Sequence, residues 1–386
     1  MKNKTLIVIG AILVILILVP IVSWISWTFQ PKKPLQVCIL DKTVPQLDRI
    51  EHMSFNWILT YNKYVKNNKR IHKYKKDYYG FMPKRPIKDK LWDPKRIRLM
   101  EIPDMANEYD ALYYTDTYGV YYNDWLRGMQ TTSTQSTLLY GGMKDPDYNL
   151  MKFMKDRNKL IIAEYNILAP PTSRLVRYQT EEQFDIRWTG WTGKYYSSLD
   201  QDDQEVPKWL IQSYKNAHYG KWPFTKAGII FIKNNQTIVI LEDENHLKSR
   251  FPIIATADYG LEKYEVPDSI EYLNWFDITY TGERNQIVSS YKIDVTQKGD
   301  SLLRIYKIPN SFPAIIESLG DYPFYYFAGD FAENKVSYFT ARFKWIKSLD
   351  FLFYSDDLED KSRFYWKFYF PLMSNILENY YINKPE

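Results

Sequence analysis

Residues 136–166 read STLLYGGMKDPDYNLMKFMKDRNKLIIAEYN, and this stretch decides the fold class. The apolar run at 138–140 predicts a short strand. The pair Asp145-Pro146 predicts a helix start, because Asp is favoured at the N-cap and Pro at the first helical position. The apolar run 160–163 then predicts a buried strand. Strand, helix and strand joined by short connections form a βαβ unit, which implies a parallel sheet with helices on its faces.

Further strand-like segments lie on both sides of this unit. Upstream, residues 35–40 and 109–115 are apolar and end in polar residues, while downstream the runs 227–232 and 237–241 predict a hairpin. The predicted fold class is therefore α/β: an N-terminal transmembrane helix, then a mostly parallel doubly wound sheet with an additional β-rich second half. The predicted domains are a cytoplasmic tip and anchor at 1–30, a linker at 31–34, an α/β domain at 35–220, and a β-rich continuation or subdomain with a C-terminal helix at 221–386.

The predicted anchor is the apolar run LIVIGAILVILILVPIVSWISW at residues 6–27. About 20 apolar residues span a bilayer, whereas the apolar core of a signal peptide has about 7–15. The bulky end at Trp24 and Trp27 also favours an uncleaved anchor over a cleaved signal. Lys2 and Lys4 precede the run and favour a cytoplasmic N-terminus, although Lys32 and Lys33 weaken that bias. The expected location is the inner membrane, single-pass, with the large domain periplasmic or extracellular.

Composition and charge limit the classes of partner. The net charge of +5 is modest and gives no indication of nucleic-acid binding. Lys and Arg are concentrated at residues 63–98, which is either a solvated basic face or a contact for anionic lipid head groups or an acidic glycan. The aromatic fraction of 17%, with 34 Tyr, reflects either codon usage in an AT-rich genome or a surface that stacks planar ligands.

The candidate catalytic residues are Glu164 and Asp116. Ligands of open α/β sheets bind beyond the carboxyl ends of the strands, and both acids lie at predicted strand ends. Two carboxylates facing each other would suit hydrolysis of a glycosidic bond. The alternatives are that Glu164 caps a turn or pairs with an arginine such as Arg174 or Arg177, and that Asp116 only forms a turn.

The candidate ligand-binding residues are Trp188, Trp191, Asp41, Asn166 and Asp330. The two tryptophans belong to the tandem WTGWTGKYY at 188–196, where the rings either stack on a sugar or fill the core. The other three residues follow predicted strands, so we expect them at the same edge of the sheet.

Several chemistries find no motif in the sequence. The four His show no metal-ligand spacing, and the single cysteine, Cys38, lies within a predicted strand. There is no Gly-x-Ser-x-Gly elbow and no Walker loop, so a standard α/β-hydrolase or P-loop NTPase is disfavoured. No metal and no cofactor is predicted.

The order of elements through Asn166 resembles the class I glutamine-amidotransferase-like (flavodoxin-like) fold. The residues that carry the resemblance are the first strand at 35–40, the Tyr140-Gly141-Gly142 turn before a helix, and the strand ending at 161–166. Members of that superfamily place a nucleophilic Cys on the turn after this strand, whereas residues 163–167 here read AEYNI. The resemblance therefore implies a Cys-less relative, of the kind found as accessory domains of carbohydrate enzymes and in uncharacterised membrane-anchored bacterial envelope proteins.

Two functions follow as hypotheses. The first is a membrane-anchored extracytoplasmic protein that binds or processes an envelope component, in particular a glycan. The alternative is a non-catalytic scaffold subunit of a bacterial membrane complex. The predicted partners are inner-membrane lipid through residues 6–27, a glycan, and proteins of such a complex, with no nucleic acid.

Overall fold

The computed structural model describes residues 2–127, 136–203 and 205–384, and the side chains at 2–13 and 15 lie outside this description. The helices are α1 (Lys2–Phe29), α2 (Ile50–Tyr61), α3 (Ile102–Glu108), α4 (Tyr122–Arg127), α5 (Asp145–Lys155), α6 (Arg174–Phe184), α7 (Lys208–Ala217), α8 (Asp258–Lys263), α9 (Gln297–Tyr306), α10 (Lys361–Phe364) and α11 (Phe370–Asn383). The strands are β1 (Lys33–Pro34), β2 (Val37–Asp41), β3 (Tyr64–Val65), β4 (Tyr79–Pro83), β5 (Trp92–Lys95), β6 (Ala111–Asp116), β7 (Val120–Tyr121), β8 (Leu138–Tyr140), β9 (Leu160–Glu164), β10 (Ile186–Tyr196), β11 (Gly228–Lys233), β12 (Ile238–Glu242), β13 (Ile253–Thr256), β14 (Ser269–Glu271), β15 (Phe276–Thr281), β16 (Asn285–Lys292), β17 (Ser311–Ser318) and β18 (Phe324–Phe327).

The main sheet has ten strands in the order β14-β13-β16-β17-β18-β9-β6-β2-β4-β5. Only the run from β18 to β4 is parallel, while the remaining pairs are antiparallel. The prediction of a mostly parallel doubly wound sheet is therefore wrong. The physical reason lies in the connections, because β17 and β18 follow each other through a tight turn that permits only antiparallel pairing, whereas a parallel pair needs a long crossover.

The predicted βαβ unit exists, but with a different first strand. Helix α5 crosses from β6 to β9, and these two strands are parallel neighbours in the main sheet. The predicted first strand, β8, pairs instead with β7 in a separate two-stranded ribbon. The segment that carries β7, α4 and β8 therefore lies outside the main sheet, between β6 and α5 along the chain. Residues 128–135 of this segment are outside the described part of the chain.

A second sheet of four strands, in the order β12-β11-β10-β15, is wholly antiparallel. It meets the main sheet at the carboxyl end of β18, where the backbone N–H of Asp277 donates to the carbonyl of Ala328 over 2.9 Å. The main sheet takes strands from both sides of residue 220, and the predicted division of the chain into domains at that residue stays a prediction.

The N-terminal helix corrects the membrane prediction. Within the described residues, no helix is long and apolar enough to cross a membrane, so the predicted transmembrane anchor at 6–27 and the single-pass inner-membrane location are wrong. The end of α1 packs against the rest of the chain instead. Trp27 is 5% exposed, and its indole N–H donates to the carbonyl of Thr60 over 3.2 Å. The predicted contact with membrane lipid through residues 6–27 stays a prediction.

The aromatic content is largely structural. The twelve largest fully buried side chains are three tryptophans and nine tyrosines, among them Trp191, Tyr113 and Tyr326. Buried tyrosine hydroxyls need hydrogen-bond partners. In this protein several of those partners are buried carboxyl groups, and this links the core directly to the candidate site.

Candidate functional site

A cleft of about 780 Å³ opens between the carboxyl-terminal edge of the parallel strands and the second sheet. Its floor comes from the ends of β6 and β9, and β10, β11 and the start of α7 also contribute to its lining. Among the residues that line it are Glu51, Asp116, Tyr165, Asn166, Trp188, Thr192, Lys194, Tyr196, Glu205, Lys208, Lys233, Trp275, Asp330, Glu333 and Lys335.

Asp116 lines the floor of this cleft, as the strand-end argument predicts. It is the last residue of β6, and its Oδ1 accepts a hydrogen bond of 2.6 Å from the backbone N–H of Tyr118. Burial is the largest cause that raises the pKa of Asp116 to about 8, and the carboxyl group of Asp41 raises it further. A carboxyl group with that pKa carries its proton near neutral pH and can donate it.

Asp330 also lines the cleft, together with Glu333 three residues later. Burial and then the charge of Glu333 raise the pKa of Asp330 well above its ordinary range, and the two side chains are hydrogen-bonded to each other. The backbone N–H of Asp330 donates to the carbonyl of Trp275 over 3.0 Å, which fixes this acid against the second sheet.

Glu164 does not line the cleft. It is fully buried, and its Oε2 accepts hydrogen bonds of 3.0 Å from the backbone N–H groups of both Phe331 and Ala332. Its Oε1 is hydrogen-bonded to the hydroxyl of Tyr113. Burial raises the pKa of Glu164 to about 8. The structure thus places this residue beneath the segment that carries Asp330, where it positions that segment instead of meeting a ligand.

Asp41 lies behind the floor of the cleft, fully buried against His52. The Oδ2 of Asp41 and the Nδ1 of His52 are 2.5 Å apart, and the His52 Nε2 donates to the carbonyl of Tyr74 over 2.7 Å. The pKa of Asp41 is raised, with burial as the largest cause. Asp41 therefore acts on the site through its neighbours, and Glu51, which sequence reasoning missed, reaches the cleft instead.

The two tryptophans of the tandem motif face opposite sides. Trp188 lines the cleft, whereas Trp191 is 2% exposed and packs in the core. Between the pairs Trp188–Thr279 and Thr192–Asp277, strand β10 contains two more residues than β15. An insertion of two residues preserves the alternation of side chains along a strand, so Trp188 stays on the face of Thr192 while Trp191 lies on the other.

Asn166 also lines the cleft, and Asp277 holds it in place. Asn166 has φ +72°, a left-handed conformation that asparagine tolerates. Its backbone N–H donates over 3.0 Å to Asp277 Oδ2, while the Thr192 hydroxyl donates over 3.0 Å to Asp277 Oδ1. Asp277 thereby links the floor of the cleft to its wall. Burial raises the pKa of Asp277 to about 6.

Sequence reasoning missed Asp277, Lys194, Glu51 and Glu333. One signal for Lys194 was available, because residues 192, 194 and 196 alternate with the apolar face of β10 and so point to the same side. The others come together only through the tertiary fold. In the part of the chain that the structure describes, no group of three or more His, Cys, Asp or Glu side chains is arranged to hold a metal ion.

Comparison with known proteins adds little to this geometry. No protein-family model matches the sequence, and no curated protein sequence matches it. The crystal structure of a ThuA-like protein from Bacteroides uniformis is similar at a TM-score of 0.38 and 8% sequence identity, over 92% of this chain and 95% of that one. At that TM-score the likeness carries no argument.

Proposed function

We propose that the protein binds a carbohydrate in the cleft and hydrolyses a glycosidic bond there. The observation that carries the proposal is the presence, in one cleft of about 780 Å³, of aromatic rings beside carboxyl groups that hold their protons near neutral pH. A cavity of this size is within the range of small-molecule sites.

The aromatic side chains supply the binding surface. Trp188 and Trp275 line the cleft, and each is partly exposed. Tryptophan and tyrosine rings are amphipathic, with an apolar face and a polar edge. Sugar rings present apolar C–H faces that match such rings, and their hydroxyl groups match the carboxyl and amide groups of the floor.

The acids supply the chemistry. Asp116, protonated, donates its proton to the glycosidic oxygen as the bond to the anomeric carbon breaks. A water molecule then forms the new bond to that carbon, and its proton passes to the carboxylate of Glu333 beside Asp330. The net reaction consumes one water per bond. Burial keeps Asp116 protonated near neutral pH, so this acid donates a proton while the other accepts one.

Binding can be tested with a panel of immobilised oligosaccharides. We expect the wild-type protein to retain at least one member, and Trp188→Ala to weaken that binding tenfold or more. Tyr178→Ala is the matched control, since Tyr178 is an aromatic residue 60% exposed on α6 and outside the cleft. Equal binding by Trp188→Ala and wild type would remove the cleft from the proposal.

Catalysis can be tested on any oligosaccharide that binds. Asp116→Asn keeps the shape of the side chain and removes the proton donor, so we expect turnover to fall by a factor of about 10²–10⁴ with binding retained. Because the active form is protonated, wild-type turnover should decrease as the pH rises through about 8. Unchanged turnover in Asp116→Asn would show that this acid takes no part.

A second candidate function, a non-catalytic scaffold, is favoured by one surface. The segment 339–352 exposes Phe339, Trp345, Phe351 and Leu352 at 60%, 46%, 60% and 66%. Exposed apolar groups of this density mark contact sites for other proteins. The test immobilises the purified protein on a column and looks for a partner whose retention is lost in the variant Trp345→Asp. If no such partner is found and the purified protein is monomeric, this alternative is wrong.

A further inference from the structure

The wall of the cleft carries a lysine with no acceptor of its own. Lys194 lies on the cleft face of β10, half-buried, between the rings of Tyr196 and Trp275. Its Nζ is 5.1 Å from the first ring centroid and 5.5 Å from the second. Among the residues that the structure describes, none accepts a hydrogen bond or forms an ion pair with this ammonium group. An ammonium carries three N–H donors, and a half-buried one without acceptors is costly.

The other lysines of the cleft share this property. Lys208, Lys233 and Lys335 line it too, and none of them forms an ion pair with a carboxylate of the described chain. Lys208 and Lys335 are exposed to solvent, whereas Lys194 and Lys233 are partly buried. The four lysines each add a positive contribution to the local potential of the cleft.

Seven carboxyl groups line the same cleft, at Asp48, Glu51, Asp116, Asp124, Glu205, Asp330 and Glu333. Burial raises the pKa of Glu51, Asp116, Asp124 and Asp330, so these four carry less negative charge near neutral pH than ordinary carboxyl groups. The carboxylate of Glu205 already has hydrogen-bond donors, because its Oε2 accepts hydrogen bonds of 3.0 Å from the backbone N–H of Ser197 and 2.6 Å from its hydroxyl. The ammonium of Lys194 therefore faces the open volume with its hydrogen-bonding capacity free.

We propose that Lys194 binds the anionic group of an acidic sugar, a carboxylate or a sulfate, while the partly exposed ring of Trp275 holds the sugar face. This inference rests on the proposed carbohydrate binding and names the substrate class of that site. Burial, the largest cause, lowers the pKa of Lys194, and an anion beside it favours its charged form. Ligand and lysine thus compensate each other's desolvation.

The test compares three trisaccharides of the same linkage and ring size: trigalacturonate, its neutral galactose counterpart, and the sulfated form of the neutral one. Each is titrated into wild type, Lys194→Met, Lys194→Arg and Lys221→Met. Lys194→Met keeps the apolar stem and removes the charge. Lys221 is an exposed loop lysine outside the cleft and provides the matched control.

We expect wild type to bind one or both acidic sugars at least tenfold more tightly than the neutral one, with an affinity that falls as salt is added. Lys194→Met should remove that preference, Lys194→Arg should restore most of it, and Lys221→Met should leave it unchanged. The difference between the carboxylated and sulfated arms identifies the anion.

Two other outcomes overturn the inference in distinguishable ways. If the neutral sugar binds as tightly as the acidic ones, and Lys194→Met weakens none of them, carbohydrate binding stands and the acidic substrate class is wrong. If no sugar binds to wild-type protein that a thermal unfolding transition shows to be folded, the proposed function fails and the inference fails with it.

Discussion

The pH dependence of stability offers a sharp test of how Glu164 is placed. Its pKa is raised from an ordinary value of 4.5 to about 8 in the folded protein, with burial as the largest cause. Between those values the folded protein holds one proton that the unfolded chain has lost. The stabilisation linked to this proton is complete below about pH 4.5 and is lost as the pH rises through 8.

The magnitude follows from one proton. Such a group lowers the free energy of unfolding by about 1.4 kcal/mol per pH unit. Glu164→Gln cannot ionise, yet its amide oxygen can still accept from Phe331 and Ala332 while its NH₂ donates to the hydroxyl of Tyr113. Relative to this variant, the wild type should therefore lose about 2.7 kcal/mol of stability between pH 5.5 and pH 7.5.

The assay is urea unfolding at pH 5.5, 6.5 and 7.5, followed by tryptophan fluorescence. Glu262→Gln, at an exposed position on α8, is the control and should keep the wild-type slope. A constant difference between wild type and Glu164→Gln would refute the reasoning, because it would mean that the three hydrogen bonds keep the buried carboxyl group ionised. Glu164→Ala should cost about 3 kcal/mol or more at pH 5.5, as it leaves two buried N–H groups and a hydroxyl unpaired.

Two further pairs of variants test the geometry. Trp191→Ala should reduce the free energy of unfolding by about 3–5 kcal/mol, because it empties a core position, whereas Trp188→Ala should reduce it far less. Urea unfolding measures both losses. Equal losses would contradict the assignment of the two tryptophans to opposite faces of β10. Gly80→Ala should destabilise strongly, since Gly80 has φ +136° and a Cβ there would lie 1.6 Å from the carbonyl oxygen of Asp41. Gly220 has φ +76° and nothing within 4 Å of an added Cβ, so Gly220→Ala should lower the free energy of unfolding by only about 1–2 kcal/mol. Similar melting temperatures for the two variants would show that the close approach at Gly80 is wrong.

Local pattern was enough to predict individual elements of the fold. The sequence predicts helix α5 and strand β9 because the helix-start pair and the apolar run are local signals, read within about ten residues. It also predicts that Asp116 lies at a strand end, and the structure places that acid in the cleft. The same reasoning fails where pairing is decided by partners far along the chain: β8 joins β7 instead of the main sheet, and half of that sheet is antiparallel.

Local sequence patterns predict α5, β9 and the position of Asp116 at a strand end, and they contain the alternation that separates Lys194 from Trp191. Which of these groups share a cleft depends on the tertiary fold, because burial and hydrogen bonding involve residues more than a hundred positions apart. Glu164 shows the difference: its neighbours Phe331 and Ala332 lie 167 and 168 residues away, and their backbone N–H groups make it a positioning residue instead of a ligand contact. The apolar N-terminal run is a second example of this difference. Hydropathy predicts an anchor there from composition alone. The contact between Trp27 and Thr60 depends on a surface that exists only after folding.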